Sequence, residues 1–128
     1  MRLNPDCIRA ILLEVEKLKL NQIYSFSQLC ENLPNYSEDD IQYTCVKLIE
    51  ANYLIGSTIK AMGISIPMVA DITDLTYSGH EFLNTVRSKS VWEKTKSAVE
   101  AIGGASLPVI LDAAKDISVS LLLSNLNP

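Results

Sequence analysis

Cys45-Val46-Lys47-Leu48-Ile49-Glu50-Ala51-Asn52-Tyr53-Leu54-Ile55 is the stretch in which the chain changes period. Before Ala51, the residues Ile41, Thr44, Cys45, Leu48 and Ile49 recur every three or four positions and mark the inner face of a helix. From Tyr53 to Lys60 the residues become β-branched and alternate, with Ile55, Ser57 and Ile59 on one side, which is the pattern of a strand. Asn52 tolerates the left-handed conformation that closes a helix, so it is the natural joint between the two. Met62-Gly63 offers a turn, and Val69 to Leu75 reads as a return strand. The intervening Ile64-Ser65-Ile66-Pro67 is ambiguous, because Pro67 has no N–H for a ladder and belongs at an edge or in a loop.

Upstream, two more helices are expected. Ser37 and Asp40 make a capping box for the helix just described, with Glu38 and Asp39 in its first turn facing the positive end of the dipole. A shorter helix starts at Ser25, where Ser25 and Gln28 form the S-x-x-Q box. Its apolar positions are Phe26, Leu29, Cys30 and Leu33, and Pro34 ends it. The first helix has Asn4 as N-cap, Pro5 at the first helical position and Asp6 behind it. Ile8, Ile11, Leu12, Val15 and Leu18 form its inner face, with Arg9, Glu14, Glu16 and Lys17 outside and Asn21 as the stop. Ile41, Cys45 and Leu48 are expected to pack on Ile11, Leu12 and Val15.

Downstream, Thr76 caps a helix from Tyr77 to about Ser88, with Phe82, Leu83 and Val86 apolar. Ser90 and Glu93 form a third capping box for a helix to Ile102, which Gly103-Gly104 stops and turns into a hinge. Ser106 and Pro108 open a last helix to about Leu123, and the end from Asn125 to Pro128 is expected to fray. The fold class is therefore mainly α with a small β-hairpin. Helix, helix, helix, hairpin, helix is the order of a winged helix-turn-helix, assigned to residues 1–89, with a C-terminal helical extension over residues 90–128.

Two segments resemble the winged-helix superfamily in detail. Val46 to Ile55 is similar to a third helix running into the first wing strand, and Leu75-Thr76-Tyr77-Ser78-Gly79-His80-Glu81-Phe82-Leu83 is similar to the L-T-x-x-G-x-x-F-L turn that leaves the wing. Leu3-Asn4-Pro5-Asp6-Cys7-Ile8-Arg9, Gly79 to Leu83 and Val91-Trp92-Glu93-Lys94-Thr95-Lys96 resemble a family of short uncharacterised proteins common in prophages and Gram-positive bacterial genomes. The resemblance implies the fold and a bacterial or prophage setting but names no reaction, since winged helices bind DNA, RNA and proteins.

The composition narrows the classes of function. The chain has 128 residues, 48% hydrophobic and 20% charged, enough for one self-sufficient core. The net charge is −4; residues 1–90 carry 8 basic and 11 acidic side chains, and residues 91–128 carry 3 and 4. Neither part is basic, whereas duplex binding draws its affinity from positive charge that displaces counterions. No signal peptide is expected, and Cys7, Cys30 and Cys45 lack metal spacing, so they read as small buried hydrophobes in a reducing, cytoplasmic compartment. Asp112, Lys115 and Asp116 interrupt the most apolar stretch, Leu107 to Leu123, so no membrane span is expected.

No catalytic, metal or cofactor-binding residue is expected: there is no G-x-S-x-G, G-x-x-x-x-G-K-[ST] or G-x-G-x-x-G, and His80 has no companion His or Cys cluster. Trp92 with Val91, Val99 and Ile102 reads as a helix face seeking a partner surface. The outer positions of the third helix are Glu38, Asp39, Gln42, Tyr43, Val46, Lys47 and Glu50. Gln42, Tyr43, Val46 and Lys47, with Lys60 on the wing, are the candidates for partner or DNA contact. Gln42 suits adenine and Lys47 suits phosphate or guanine, while Glu38 and Asp39 oppose phosphates. In the last helix Leu107, Ile110, Leu111, Ala114, Ile117 and Leu121 make one apolar stripe, and Val109, Val119, Leu122, Leu123 and Leu126 lie off it. A helix apolar over most of its circumference is expected to serve a homo-oligomer, with the stripe and Leu122 at the interface. The reading is a non-enzymatic, oligomeric regulatory or adaptor module; the alternative is a DNA-binding transcriptional regulator using the third helix and wing.

Overall fold

The computed structural model describes residues 1–60, 62–63 and 67–126, with Leu126 through its backbone alone. Its elements run α1 (Pro5–Glu16), β1 (Tyr24–Ser25), α2 (Phe26–Asn32), α3 (Glu38–Glu50), β2 (Leu54–Ile59), β3 (Met68–Leu75), α4 (Tyr77–Val86), α5 (Lys89–Ala101) and α6 (Leu107–Leu126). The protein is mainly α with a small antiparallel sheet. Its contacts divide it into two compact units, residues 1–80 and 81–128, with the division inside α4.

In the first unit, local chemistry starts each helix where the caps place it. Asn4 Oδ1 accepts from the backbone N–H of Asp6 at 3.1 Å and of Cys7 at 3.4 Å. Ser25 and Gln28 satisfy each other's backbone donors, and Ser37 Oγ accepts from the Asp40 N–H at 3.1 Å. The expected helix-on-helix core is present: Ile8, Ile11, Leu12 and Val15 of α1 and Ile41, Cys45 and Leu48 of α3 are all buried, together with Leu29 of α2. Fully burying each large aliphatic side chain stabilises by about 1.5–3 kcal/mol. Against this layer lies a sheet in the order β1-β3-β2, whose inward residues Leu54, Val69, Ile72 and Leu75 are buried.

Three features depart from the expected layout. α1 stops at Glu16 rather than Asn21, because Lys17 and Leu18 donate to the carbonyls of Glu14 and Val15 in a tightened last turn. Asn21 takes its left-handed backbone (φ 66°) in the following loop. Glu14 is buried rather than outside: its carboxylate accepts from Lys17 Nζ at 3.0 Å, Tyr24 Oη at 3.1 Å and Asn32 Nδ2 at 3.2 Å. Those donors offset its desolvation and tie α1 to β1 and α2. Finally, the hairpin is part of a three-stranded sheet, because Tyr24 and Ser25 pair with Ile72 and Asp71 of β3. Ser25 thus ends a strand and caps a helix at once. The expected reading of Ile64-Ser65-Ile66 lies outside the described residues.

α3 passes into β2 through a left-handed closure. The Asn52 N–H donates to the Ile49 carbonyl at 3.0 Å and the Tyr53 N–H to the Leu48 carbonyl at 2.8 Å, with Asn52 at φ 65°. This is a Schellman motif, in which two otherwise orphan carbonyls are satisfied by the residues that leave the helix. The exit from β3 is clasped onto the same point. The Thr76 N–H donates to the Tyr53 carbonyl at 3.1 Å, Thr76 Oγ1 donates to the Asn52 carbonyl at 2.6 Å, and the Gly79 N–H donates to Thr76 Oγ1 at 2.9 Å. Gly79 sits directly on the Tyr53 carbonyl, where any Cβ would collide with backbone.

In the second unit, α5 packs on α6. α5 begins two residues earlier than the Ser90 box proposes: Ser88 is the N-cap and accepts from the Val91 N–H at 3.4 Å. Val91, Trp92, Thr95 and Val99 form its buried face, whereas Ile102 is exposed. Gly103 and Gly104 stop the helix as expected, both with positive φ, and donate to the carbonyls of Glu100 and Val99. α6 continues past Leu123 to Leu126, while residues 127–128 lie outside the described residues.

Gly79→Ala should destabilise the protein by about 1–3 kcal/mol, since the new methyl must displace the Tyr53 carbonyl. Urea denaturation of the two forms measures this; equal midpoints would contradict the clasp.

Candidate functional site

The surface built by α3 and the β2–β3 hairpin is the candidate site. The first turn of α3 carries Glu38, Asp39 and Asp40. These carboxylates stabilise the helix through its dipole and leave its leading end negative. Lys47, the one base in α3, is bound at 3.0 Å to Glu50 Oε2 and lies over the Tyr43 ring, with Nζ 5.5 Å from the centroid. The hydrogen bond to Glu50 and its charge raise the Lys47 pKa above the ordinary lysine value, so it is fully protonated yet locally neutralised.

Two of the expected contact residues are not presented. Val46, expected on the outer face, is 3% exposed and lies in the core instead. Gln42 is partly exposed as a residue, but both polar atoms of its amide are shielded from solvent and have no hydrogen-bond partner among the described residues. An amide so placed cannot read a base edge, and its desolvation costs about 1–3 kcal/mol. Tyr43 and Lys47 are half-buried on the surface, and Lys60 is exposed just beyond β2.

The hairpin's outer face is apolar and acidic. Ile55 and Ile59 of β2 and Met68 of β3 are exposed, with Ile59 opposite Met68 in the ladder and Ile55 opposite Asp74. Ser57 faces Asp71, its hydroxyl 3.4 Å from the carboxylate. The ladder shifts register between Ile55 and Gly56 and again between Ser57 and Thr58. Such bulges twist an edge strand away from chance pairing. The alternation of Ile55, Ser57 and Ile59 was legible in the sequence; that this side faces outward was not.

The oligomerisation stripe of α6 is also corrected. Leu107, Ile110 and Ala114 are buried within a single chain, and Leu111, Ile117 and Leu121 are half-buried. The stripe that periodicity selects is the stripe that α6 uses inside its own unit, where it packs on α5. Leu122 is exposed, as are Val109, Val119 and Leu123, so the apolar surface left over is on the other side of the helix.

The three cysteines are free and come from three helices, α1, α2 and α3. Cys7 and Cys45 are buried and Cys30 half-buried. Burial pushes the Cys7 thiol up to about 11 and the Cys45 thiol further still, and it raises Cys30, helped by the Glu38 carboxylate. Protonated thiols are poor nucleophiles and poor metal ligands. No cluster of three or more His, Cys, Asp or Glu suited to a metal ion occurs among the described residues, and no helix there is long and apolar enough to cross a membrane. His80 is exposed on α4.

A model of the hypothetical-protein family DUF2513 matches residues 2–106. The chain belongs to this family. The match takes in α1 to α5 and stops one residue before α6. An uncharacterized protein of Haemophilus influenzae (strain ATCC 51907 / DSM 11121 / KW20 / Rd) is 28% identical over 122 residues, covering 95% of this chain and 96% of the relative. The relative therefore spans α6 as well. No solved structure matches the chain significantly.

In the DUF2513 chain the thiols should react in the order of their burial. At pH 8, iodoacetamide should modify Cys30 first, and Cys7 and Cys45 only on unfolding; mass spectrometry of peptides reads the order. Because the folded thiols titrate above the unfolded ones, their stabilising contribution is complete below the ordinary thiol value of 9.0 and is lost as pH rises through the Cys7 value of about 11. Rapid native labelling of Cys45 would contradict its burial.

Proposed function

We propose that this DUF2513 protein is a non-enzymatic winged-helix module that works through protein contacts, as an oligomeric regulatory or adaptor protein of bacterial or prophage type in the cytoplasm. The succession α1, β1, α2, α3, β2, β3, with β1 on the far side of β3, supports the winged-helix reading. The observation that carries the functional part is the state of Lys47. The one base of α3 is committed to Glu50 and Tyr43, behind a first turn with three carboxylates. A helix so charged repels phosphates at the end that would approach a duplex, while Tyr43 and the apolar hairpin face have the composition of a protein interface.

The bacterial setting is supported by the Haemophilus relative, the prophage setting by the resemblance of Leu3–Arg9 and Val91–Lys96, and the compartment by three free thiols. Self-association is carried by the outward side of α6, where Val109, Val119, Leu122 and Leu123 are exposed. The second reading, a DNA-binding transcriptional regulator, rests on the same order of elements and on Lys60 at the wing.

Fluorescence anisotropy with duplex DNA at about 50 and 200 mM salt separates the readings. The module should bind no more tightly than about 10⁻⁴–10⁻⁶ M at physiological salt, the range of non-specific contact. Nanomolar, sequence-selective binding would establish the regulator instead. Light scattering should report more than one copy per particle for the full chain and a monomer for Val119→Glu/Leu122→Glu. A monomeric parent protein would end the oligomer proposal.

A further inference from the structure

Between α2 and the start of α3 lies a groove of 480 Å³ that shares only Glu38 with the surface of α3 and the hairpin. Phe26, Pro34 and Tyr36 supply its apolar lining, Cys30 lies in the groove, and Glu31 and Glu38 supply two carboxylates. Its volume falls within the range of cavities that take a ligand or a side chain, about 300–1,000 Å³. The two acids enter it from different elements, Glu31 from α2 and Glu38 from the first turn of α3. Neither is in an ion pair among the described residues. The proximity of Glu38 to Cys30 helps to raise the thiol's pKa, which sets that carboxylate against the groove.

The surroundings make the negative potential persistent. Residues 1–80 carry 6 basic and 10 acidic side chains, and two of the bases, Lys17 and Lys47, are bound to Glu14 and Glu50. Among the described residues, no lysine or arginine lines the groove. Anions are therefore excluded, and a neutral apolar group would leave two carboxylates without counterions. A cationic group satisfies both requirements, because its charge faces Glu31 and Glu38 while aromatic faces attract it electrostatically. Arginine fits better than lysine. Its planar guanidinium stacks on rings, is weakly hydrated and presents a fork of donors that can engage carboxylates at two points.

We propose that this groove receives an arginine side chain from an exposed segment of a protein partner. The inference rests on reading the chain as a protein-binding module and gives the partner a chemistry. Phe26 and Tyr36 hold the guanidinium stem and face, and Glu31 and Glu38 accept its N–H groups.

The probe is the blocked peptide acetyl-Gly-Arg-Gly-Arg-Gly-amide, titrated into the full chain labelled with ¹⁵N, with Lys-for-Arg and Glu-for-Arg peptides as comparisons. The arginine peptide should shift the amides of Phe26, Cys30, Glu31, Tyr36 and Glu38, the lysine peptide should bind several-fold more weakly, and the glutamate peptide should leave them unmoved. Glu31→Gln/Glu38→Gln should weaken the arginine peptide by about tenfold. Circular dichroism of that variant should match the parent's. If the variant is unstable, Cys30 alkylation in the parent gives a second reading: the arginine peptide should slow it and the glutamate peptide should not. Shifts scattered over acidic residues outside the groove would overturn the proposal, as would undiminished binding by a folded double variant. Shifts at these amides from a duplex oligonucleotide would also overturn it. Failure of the peptide with self-association intact removes the groove and leaves the module; loss of both removes the module.

Discussion

The first unit hangs on one carbonyl. The backbone oxygen of Tyr53 accepts from Thr76 and lies against Gly79, one residue after Asn52 closes α3 in its left-handed conformation. The same short segment thus ends the helix, begins β2 and receives the chain as it leaves β3. With both ends of the hairpin fixed at one point, the direction in which the hairpin leaves follows from α3. Thr76 completes the joint by donating to Asn52 and accepting from Gly79 through one hydroxyl. This gives a physical reason for the L-T-x-x-G turn: Thr supplies a two-way hydroxyl, and Gly is the residue that clears the carbonyl.

What this joint presents is unusual in charge. α3, beside the hairpin, begins with three acids and neutralises its single lysine internally, and the outer face of the hairpin is Ile55, Ile59 and Met68 with Asp71 and Asp74 among them. Exposed ion pairs contribute little to stability, commonly about 0–1 kcal/mol, so the Lys47–Glu50 pair adds little to the fold while it neutralises the one base of α3. By contrast the Glu14 carboxylate, sheltered and bound by Tyr24, Asn32 and Lys17, fastens α1, β1 and α2. Buried acid serves the framework, and exposed acid shapes the groove between α2 and α3.

Much of the fold was legible because its signals are local. Asn4, Ser25, Ser37 and Thr76 each cap the helix they precede, and the change from period 3.6 to period 2 falls at Asn52, where the backbone turns left-handed. What escaped depends on contacts distant in sequence. β1 has two residues, too few to show a period, and exists because β3 pairs with it 47 residues or so away. Glu14 looks solvent-exposed on a helical wheel until Tyr24 and Asn32, 10 and 18 residues on, fold over it. The same limit governs the candidate site. Periodicity picked out the apolar stripe of α6 correctly but not what covers it, and α5 of the same chain packs there. Val46 and the Gln42 amide lie on the outward side of an isolated α3 and are enclosed once the tertiary structure surrounds them.

We have proposed that Lys47 is withheld from nucleic acid by Glu50 and Tyr43. The salt dependence of duplex binding tests it directly, because each phosphate neutralised adds about 0.9 to the slope of log K against log salt. The same slope is expected for the parent protein and for Lys47→Ala. A slope that falls by about 1 in the variant would put Lys47 on a phosphate and contradict it.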